Sequence, residues 1–250
     1  MTAGYISGVA QNIALSVPMN EDLLKGRVKQ IDEFMCRFNM SEAWDGTAIT
    51  DRSDTVYRKK YLATLFNQVT FCTGKGTFTD VASEFVSYVT EHDCRLRYED
   101  STWTAEVRCT VRMGTSAERI KLFLNTKKIR EGEYKWVINN VSGKIFNVES
   151  SSDTAMPFIS PMEHEIGFVG LLTLKAKNRN MKNCYGDNYA ADKLSMLAVL
   201  LHNGLLRIET IDNVLFHFYT VPSYVFTVER VERKGSFNTG WLITKLNKLN

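Results

Sequence analysis

The spacing of apolar positions changes period partway through each half of the chain. From Asn20 to Met40 they fall at Leu24, Val28, Ile31, Phe34, Met35 and Phe38, which predicts an amphipathic helix. Asn20 is placed to cap it, with Glu21 and Asp22 at the positive end of its dipole. After the polar stretch "SEAWDGTAITDRSD", Val56, Tyr57, Tyr61, Leu65 and Phe66 predict a second helix. Val81, Phe85, Val86 and Val89, behind Asp80 as cap, predict a third. The period then drops to two. Trp103, Ala105, Val107, Cys109, Val111 and Met113 alternate with Thr102, Thr104, Glu106, Arg108, Thr110 and Arg112, the pattern of a strand with one dry face. "MGTSA" and "KKIREGE" read as turns around a strand from Glu118 to Thr126, and "EYKWVINNVSG" supplies the next. Such short connections make the three strands antiparallel.

The order repeats after "VESSSDTAMP". Ser160, Pro161 and Glu163 form a capping box, and Ile166, Val169, Leu172 and Leu174 continue a helix from it. A further helix runs from about Ala191 to Asn203, with Leu194, Leu197, Ala198 and Leu201 inward and Gly204 as its stop. Strands follow at Val214 to Val221, Tyr224 to Arg233 and Thr239 to Leu246, with "ERKGSFN" as a hairpin turn. Each half therefore reads as helices followed by an antiparallel meander, and each meander ends in a strand carrying a tryptophan, Trp136 or Trp241. The predicted class is α+β, with two helix-on-sheet subdomains in tandem, divided near Ser150 to Pro157. Residues 1–19 are an N-terminal extension, 20–149 the first domain and 157–250 a second, smaller one.

The chain has 250 residues, is 44% hydrophobic and 24% charged, and so belongs with ordinary globular proteins. Its net charge of +3 is spread thinly, with 20 basic and 20 acidic residues through Met156 and 11 against 8 afterwards. That balance argues against a nucleic-acid partner held by phosphate neutralisation. Cys36, Cys72, Cys94, Cys109 and Cys184 are odd in number and lack zinc-site spacing, which suits free thiols in a reducing compartment. The first charge after the start is Glu21, so a basic signal-peptide region is missing, and no apolar run approaches the ~20 residues that span a bilayer. A soluble cytoplasmic protein without a membrane partner is expected.

At "TWTAEVRCTVRM", "IKLFLNT" and "EYKWVINNVSGKIF", residues 20 to 148 resemble the curved-sheet, cone-shaped domains of the nuclear transport factor two and ketosteroid isomerase superfamily, also called cystatin-like. The second half, from "FISPMEHEIGFVGL" through "FHFYTVPSYVFTVERV" to "GWLITKL", resembles part of an uncharacterised group of bacterial proteins that pair such segments. The resemblance implies helices on a curved antiparallel sheet. It does not choose an activity, because the superfamily includes isomerases, dehydratases, cyclases and pure binding or dimerisation domains.

Its enzymes place a carboxylate base and an acidic donor between sheet and helices. Here the inferred inner positions, from Trp103 to Met113, then Ile120, Leu122 and Leu124, then Tyr134, Trp136, Ile138 and Asn140, contain no Asp, Glu or His. In the second half His217 and Tyr219 share a strand face and form the candidate proton-transfer pair, with Glu209 or Asp212 as possible orienting groups. A histidine beside a tyrosine is more often a solvent-facing or hydrogen-bonded structural residue.

Glu163, His164 and Glu165 diverge on a helix and lack the second histidine of a zinc motif. His92, Asp93 and Cys94 mark a helix-to-strand junction, and Gly74, Lys75 and Gly76 lack P-loop spacing and read as a turn. Cys109 reads as an inert core thiol, and Glu106, Arg108 and Arg112 as a solvated sheet face. Phe216, Phe218, Tyr219, Tyr224, Phe226 and Trp241 load the last three strands with more aromatic surface than one core takes up. The expected function is non-catalytic binding of a small apolar ligand or a protein partner, a second copy included, through Tyr134, Trp136, Phe218, Tyr224, Phe226 and Trp241. The alternative is a cofactor-independent isomerase- or dehydratase-like enzyme using His217 as base and Tyr219 as donor. Neither reading calls for a cofactor or a metal.

Overall fold

The computed structural model describes residues 31–43, 45–74, 76–131, 133–147, 159–173, 184–186, 188 and 192–249. Its helices are α1 (Ile31–Phe38), α2 (Thr55–Thr64), α3 (Gln68–Phe71), α4 (Asp80–Glu91) and α5 (Lys193–His202). The strands are β1 (Trp103–Met113), β2 (Ser116–Arg130), β3 (Glu133–Gly143), β4 (Leu206–Phe218), β5 (Tyr224–Val231) and β6 (Gly240–Lys248). They form one open, curved antiparallel sheet in the order β3-β2-β1-β4-β5-β6. The class is α+β, and the two predicted meanders are neighbours in the same sheet through β1 and β4. The described residues group into two compact units that interleave along the chain. One takes those up to Val107, Phe123–Ile138 and those from Asn213 on; the other takes Arg108–Leu122 and those within Asn139–Asp212.

The first unit owes its core to the predicted apolar stripes. Phe34 and Phe38 of α1 and Phe85 of α4 are each 0% exposed. They pack on Phe218 of β4 and on Tyr224 and Phe226 of β5, at ring separations of 5.2–6.1 Å. Trp103, Phe218, Phe226 and Phe38 lie nearly parallel in a row, with successive centroids 5.5, 4.9 and 5.8 Å apart. Each buried ring adds about 1.5–3 kcal/mol by leaving water, so this row supplies much of the driving force that seats α1 on the sheet. Asp54 caps α2 by accepting from the Tyr57 N–H at 2.8 Å. Thr79, not Asp80, is the N-cap of α4, and Asp80 is that helix's first residue. The Asn20 to Val28 part of the first predicted helix lies outside the described residues.

A polar lock ties the helices to the β5–β6 hairpin. Asn238 is 4% exposed. Its Oδ1 accepts from the Gln68 N–H and from Arg233, each at 3.0 Å, and its Nδ2 donates to the Phe66 carbonyl at 2.8 Å. Beside it the backbone of Leu65 and Asn67 bonds both ways to Ile243 of β6. The short α3, absent from the hydrophobic pattern, sits at this lock.

The second unit has a smaller core of Cys109, Val111, Ile120, Leu122, Val141, Phe146, Leu197 and Leu206. Gly143 is required there by close approach, since a Cβ would stand 2.9 Å from Ile120 Cγ2. Ser160 caps the predicted turn by accepting from the Met162 N–H. The helix that follows is a 3-10 turn (Pro161–Ile166), ended by Gly167 at φ 64° and Phe168 at φ 57°, then a second one (Val169–Thr173). A continuous helix is replaced because the Gly167–Phe168 pair turns left-handed. Glu163 reaches forward to the Gly170 N–H at 3.0 Å and does not close the capping box. In α5, capped by Asp192, Leu197 is buried, Leu194 is half-buried, and Ala198 and Leu201 are exposed. A helix of ten residues that is apolar nearly all round buries only one stripe.

An aromatic floor and an outer-face histidine bridge

Within the first unit, the sheet face that receives the helices continues into a strip of larger rings. Trp136 of β3 and Trp241 of β6 stand on the two outermost strands. Their rings converge on Phe216 of β4, at 6.3 and 5.1 Å. Trp103 of β1 completes the strip, 5.0 Å from Trp136 and 5.8 Å from Phe216. Tyr98 packs on Trp103, Tyr134 and Trp136 at 5.3–6.2 Å. Trp103 and Phe216 are buried, whereas Tyr134, Trp136 and Trp241 are half-buried. Val228 of β5, the cross-strand partner of Phe216, lies on the same face between β4 and β6, and the two edge-strand indoles meet at Phe216.

The sequence-predicted binding residues therefore separate. Tyr134, Trp136 and Trp241 belong to the floor, and Phe216, not singled out for ligand contact, joins them. Phe218, Tyr224 and Phe226 are 1%, 3% and 0% exposed and sit inside the helix-on-sheet core, so packing accounts for them. Tyr219 is 53% exposed, lies just past the end of β4, and its N–H donates to the Thr102 carbonyl at 2.8 Å. Phe218 in and Tyr219 out is the split that strand alternation requires.

His217 projects to the opposite face from Phe216 and Phe218. Its Nε2 lies 3.3 Å from Glu106 Oε2 and its Nδ1 lies 3.1 Å from Thr227 Oγ1. A carboxylate only accepts, so Nε2 donates to Glu106, while Nδ1 shares a hydrogen bond with the Thr227 hydroxyl. The imidazole thereby bridges three adjacent strands, β1, β4 and β5. Glu106 is 7% exposed, which corrects its reading as part of a solvated face. Its strand is central in a six-stranded sheet, and that burial is invisible in alternation alone.

Glu209 and Asp212 do not orient His217. Glu209 takes a bidentate pair from Arg112 at 2.6 and 2.9 Å and a bond from Arg207 at 3.2 Å. Arg112's hydrogen bond holds its carboxyl below the usual range. Asp212 accepts from the hydroxyls of Thr210 at 2.6 Å and Thr110 at 2.8 Å, and these bonds likewise lower its pKa. Burial pushes the Cys109 thiol up, as expected for a core cysteine.

The other polar motifs have local uses. His164 bonds the Pro161 carbonyl at 2.7 Å, and His92 stacks on Tyr88 at 4.1 Å. Asp93 pairs with Arg58 and Arg95, each within 2.6 Å. Gly76, at φ 76°, helps turn the chain between the bridged residues Cys72 and Phe78. Among the described residues no group of three or more His, Cys, Asp or Glu is placed to hold a metal ion. Nor is any helix among them long and apolar enough to cross a membrane.

No protein-family model, curated protein or solved structure matches the chain.

Proposed function

We propose that the protein is a non-catalytic binding protein that takes a small apolar ligand on the floor of Trp136, Phe216 and Trp241. The observation that carries this reading is the convergence of two half-buried tryptophans from opposite sheet edges on one phenylalanine. A strip of mutually tilted rings offers a ring or aliphatic chain large contact at small entropic cost, because each indole is fixed by packing on its neighbours. The resemblance to the nuclear transport factor two superfamily supports the same reading, since some of its members bind without catalysis. Five cysteines outside any disulfide suit action in the cytoplasm.

Native mass spectrometry of gently purified protein, followed by denaturation of the same sample, tests the proposal. A stoichiometric released compound, with lower occupancy in Trp136→Leu and Trp241→Leu, is expected. Protein that carries nothing and binds no apolar probe overturns it, and a protein partner or a second copy of the chain then becomes the occupant to test.

The isomerase- or dehydratase-like alternative draws support from the buried Glu106 beside His217. Against it, both ring nitrogens of His217 have partners other than Tyr219, and the ring faces away from the floor. We assign His217 to bridging the strands.

A further inference from the structure

Arg230 of β5 stands directly opposite Trp241 of β6 in the antiparallel register. Cross-strand partners project to one face of a sheet, and the 5.1 Å contact of Trp241 with Phe216 identifies that face as the one bearing the floor. The preceding pair on this face, Val228 and Ile243, is 0% exposed. Arg230 is thus a cation set where the buried core gives way to the half-open end of the floor.

Its side chain is 61% exposed and meets Glu232 Oε1 at 3.0 Å, and Glu232 is itself 75% exposed. An ion pair so open to water is worth about 0–1 kcal/mol, so a ligand anion can take the place of Glu232 at little loss. The guanidinium fork also matches a carboxylate or sulfonate with two parallel donors. From this geometry, and resting on the proposed use of the floor, we infer that the ligand is an apolar anion. Its ring or chain lies on Trp241 and Phe216, and its acidic group meets Arg230. A neutral ligand leaves the Arg230–Glu232 pair undisturbed. The cation therefore sets selectivity, and the rings set affinity.

Two fluorescent probes with the same rings separate these contributions: 8-anilinonaphthalene-1-sulfonate and its uncharged counterpart N-phenyl-1-naphthylamine. Titrated against the full chain, both are expected to bind, the sulfonate about fivefold more tightly, as the upper range for an exposed ion pair allows. Arg230→Gln removes that preference and leaves the neutral probe unaffected, while Glu232→Gln enlarges it. Trp241→Leu weakens both probes. Equal binding of the two probes, or a preference that survives Arg230→Gln, overturns the anion inference and leaves the floor standing. If neither probe binds, or if Trp241→Leu changes nothing, the floor itself is refuted and the inference falls with it. Arg230 and Glu232 are exposed, so circular dichroism is expected to show unaltered folds for both variants.

Discussion

Replacing Asn238 with Ala removes an amide that serves four partners inside the first unit: the Gln68 N–H, the Arg233 guanidinium, the Phe66 carbonyl and, at 3.5 Å, the Thr64 carbonyl. Arg233 keeps the Asn238 carbonyl and the Asn67 side chain. The Phe66 carbonyl belongs to a residue that is 0% exposed, and losing its donor there costs about 2 kcal/mol. Gln68 is half-buried, so water reaches its N–H and the loss is about 1 kcal/mol. The expected cost is about 3 kcal/mol, a large share of the ~5–15 kcal/mol that holds a domain together. In urea this moves the midpoint down by about 1–2 M. Trp103, Trp136 and Trp241 all lie in this unit, so tryptophan emission follows its unfolding. Because Trp241 stands three residues after Asn238, the loosened hairpin also weakens apolar-probe binding. Asn238→Asp keeps the acceptor toward Gln68 but presents oxygen to the Phe66 carbonyl, and is expected to cost about 2 kcal/mol. A loss below about 1 kcal/mol for Asn238→Ala would show that these bonds contribute no more than ordinary exposed ones, and the lock would not explain how the hairpin is placed.

His217→Gln is expected to leave probe binding and its anion preference unchanged while lowering stability by about 1 kcal/mol; a loss of binding would put His217 in the site. Asp93→Asn flattens the acid limb of the stability curve. Burial acts to raise the Asp93 carboxyl, but the hydrogen bond and charge of Arg95, with Arg58, outweigh it and hold the carboxyl below its ordinary value. A carboxyl lowered by folding stabilises above its unfolded pKa, and that stability is lost as pH falls through the folded one. Stability titrations of both proteins from pH 6 to pH 2 check this; parallel curves would refute it. Cys109 is 0% exposed, with a thiol pushed up by burial, so iodoacetamide is expected to label it only when the second unit opens. Peptide mapping by mass spectrometry after native and urea-treated labelling decides the point.

How much the sequence could say depended on whether a feature was local. The strand Trp103–Met113 and the helix over Val81, Phe85, Val86 and Val89 follow from periodicity, which concerns neighbours in the chain, and the structure forms both, with the cap one residue before the predicted Asp80. Strand β4 begins at Leu206, well before the predicted Val214, because Arg207, Glu209 and Asp212 interrupt the apolar pattern. Those side chains are satisfied by Arg112, Thr110 and one another on paired strands, information that no local window contains. Glu106 is the sharper case. Alternation placed it off the dry face, correctly, but only the β1–β4–β5 pairing shows that Glu106 is itself buried there, against His217.

The two tryptophans illustrate both limits at once. Read along the chain, Trp136 and Trp241 are equivalent, each in the last strand of a three-strand meander. In separate sheets each would close its own core. In one sheet ordered β3-β2-β1-β4-β5-β6, the last strand of each meander becomes an edge, and the first strands, β1 and β4, become the centre. Equivalent positions in sequence therefore become opposite borders in space. The indoles face inward toward Phe216, which belongs to the central strand β4. Had the meanders joined through β3 and β6, both tryptophans would have been central and buried. The half-open floor is a consequence of the β1–β4 junction, so a change that breaks that junction, at Thr102 and Thr220 whose hydroxyls meet at 2.7 Å, acts on the floor without touching any of its rings.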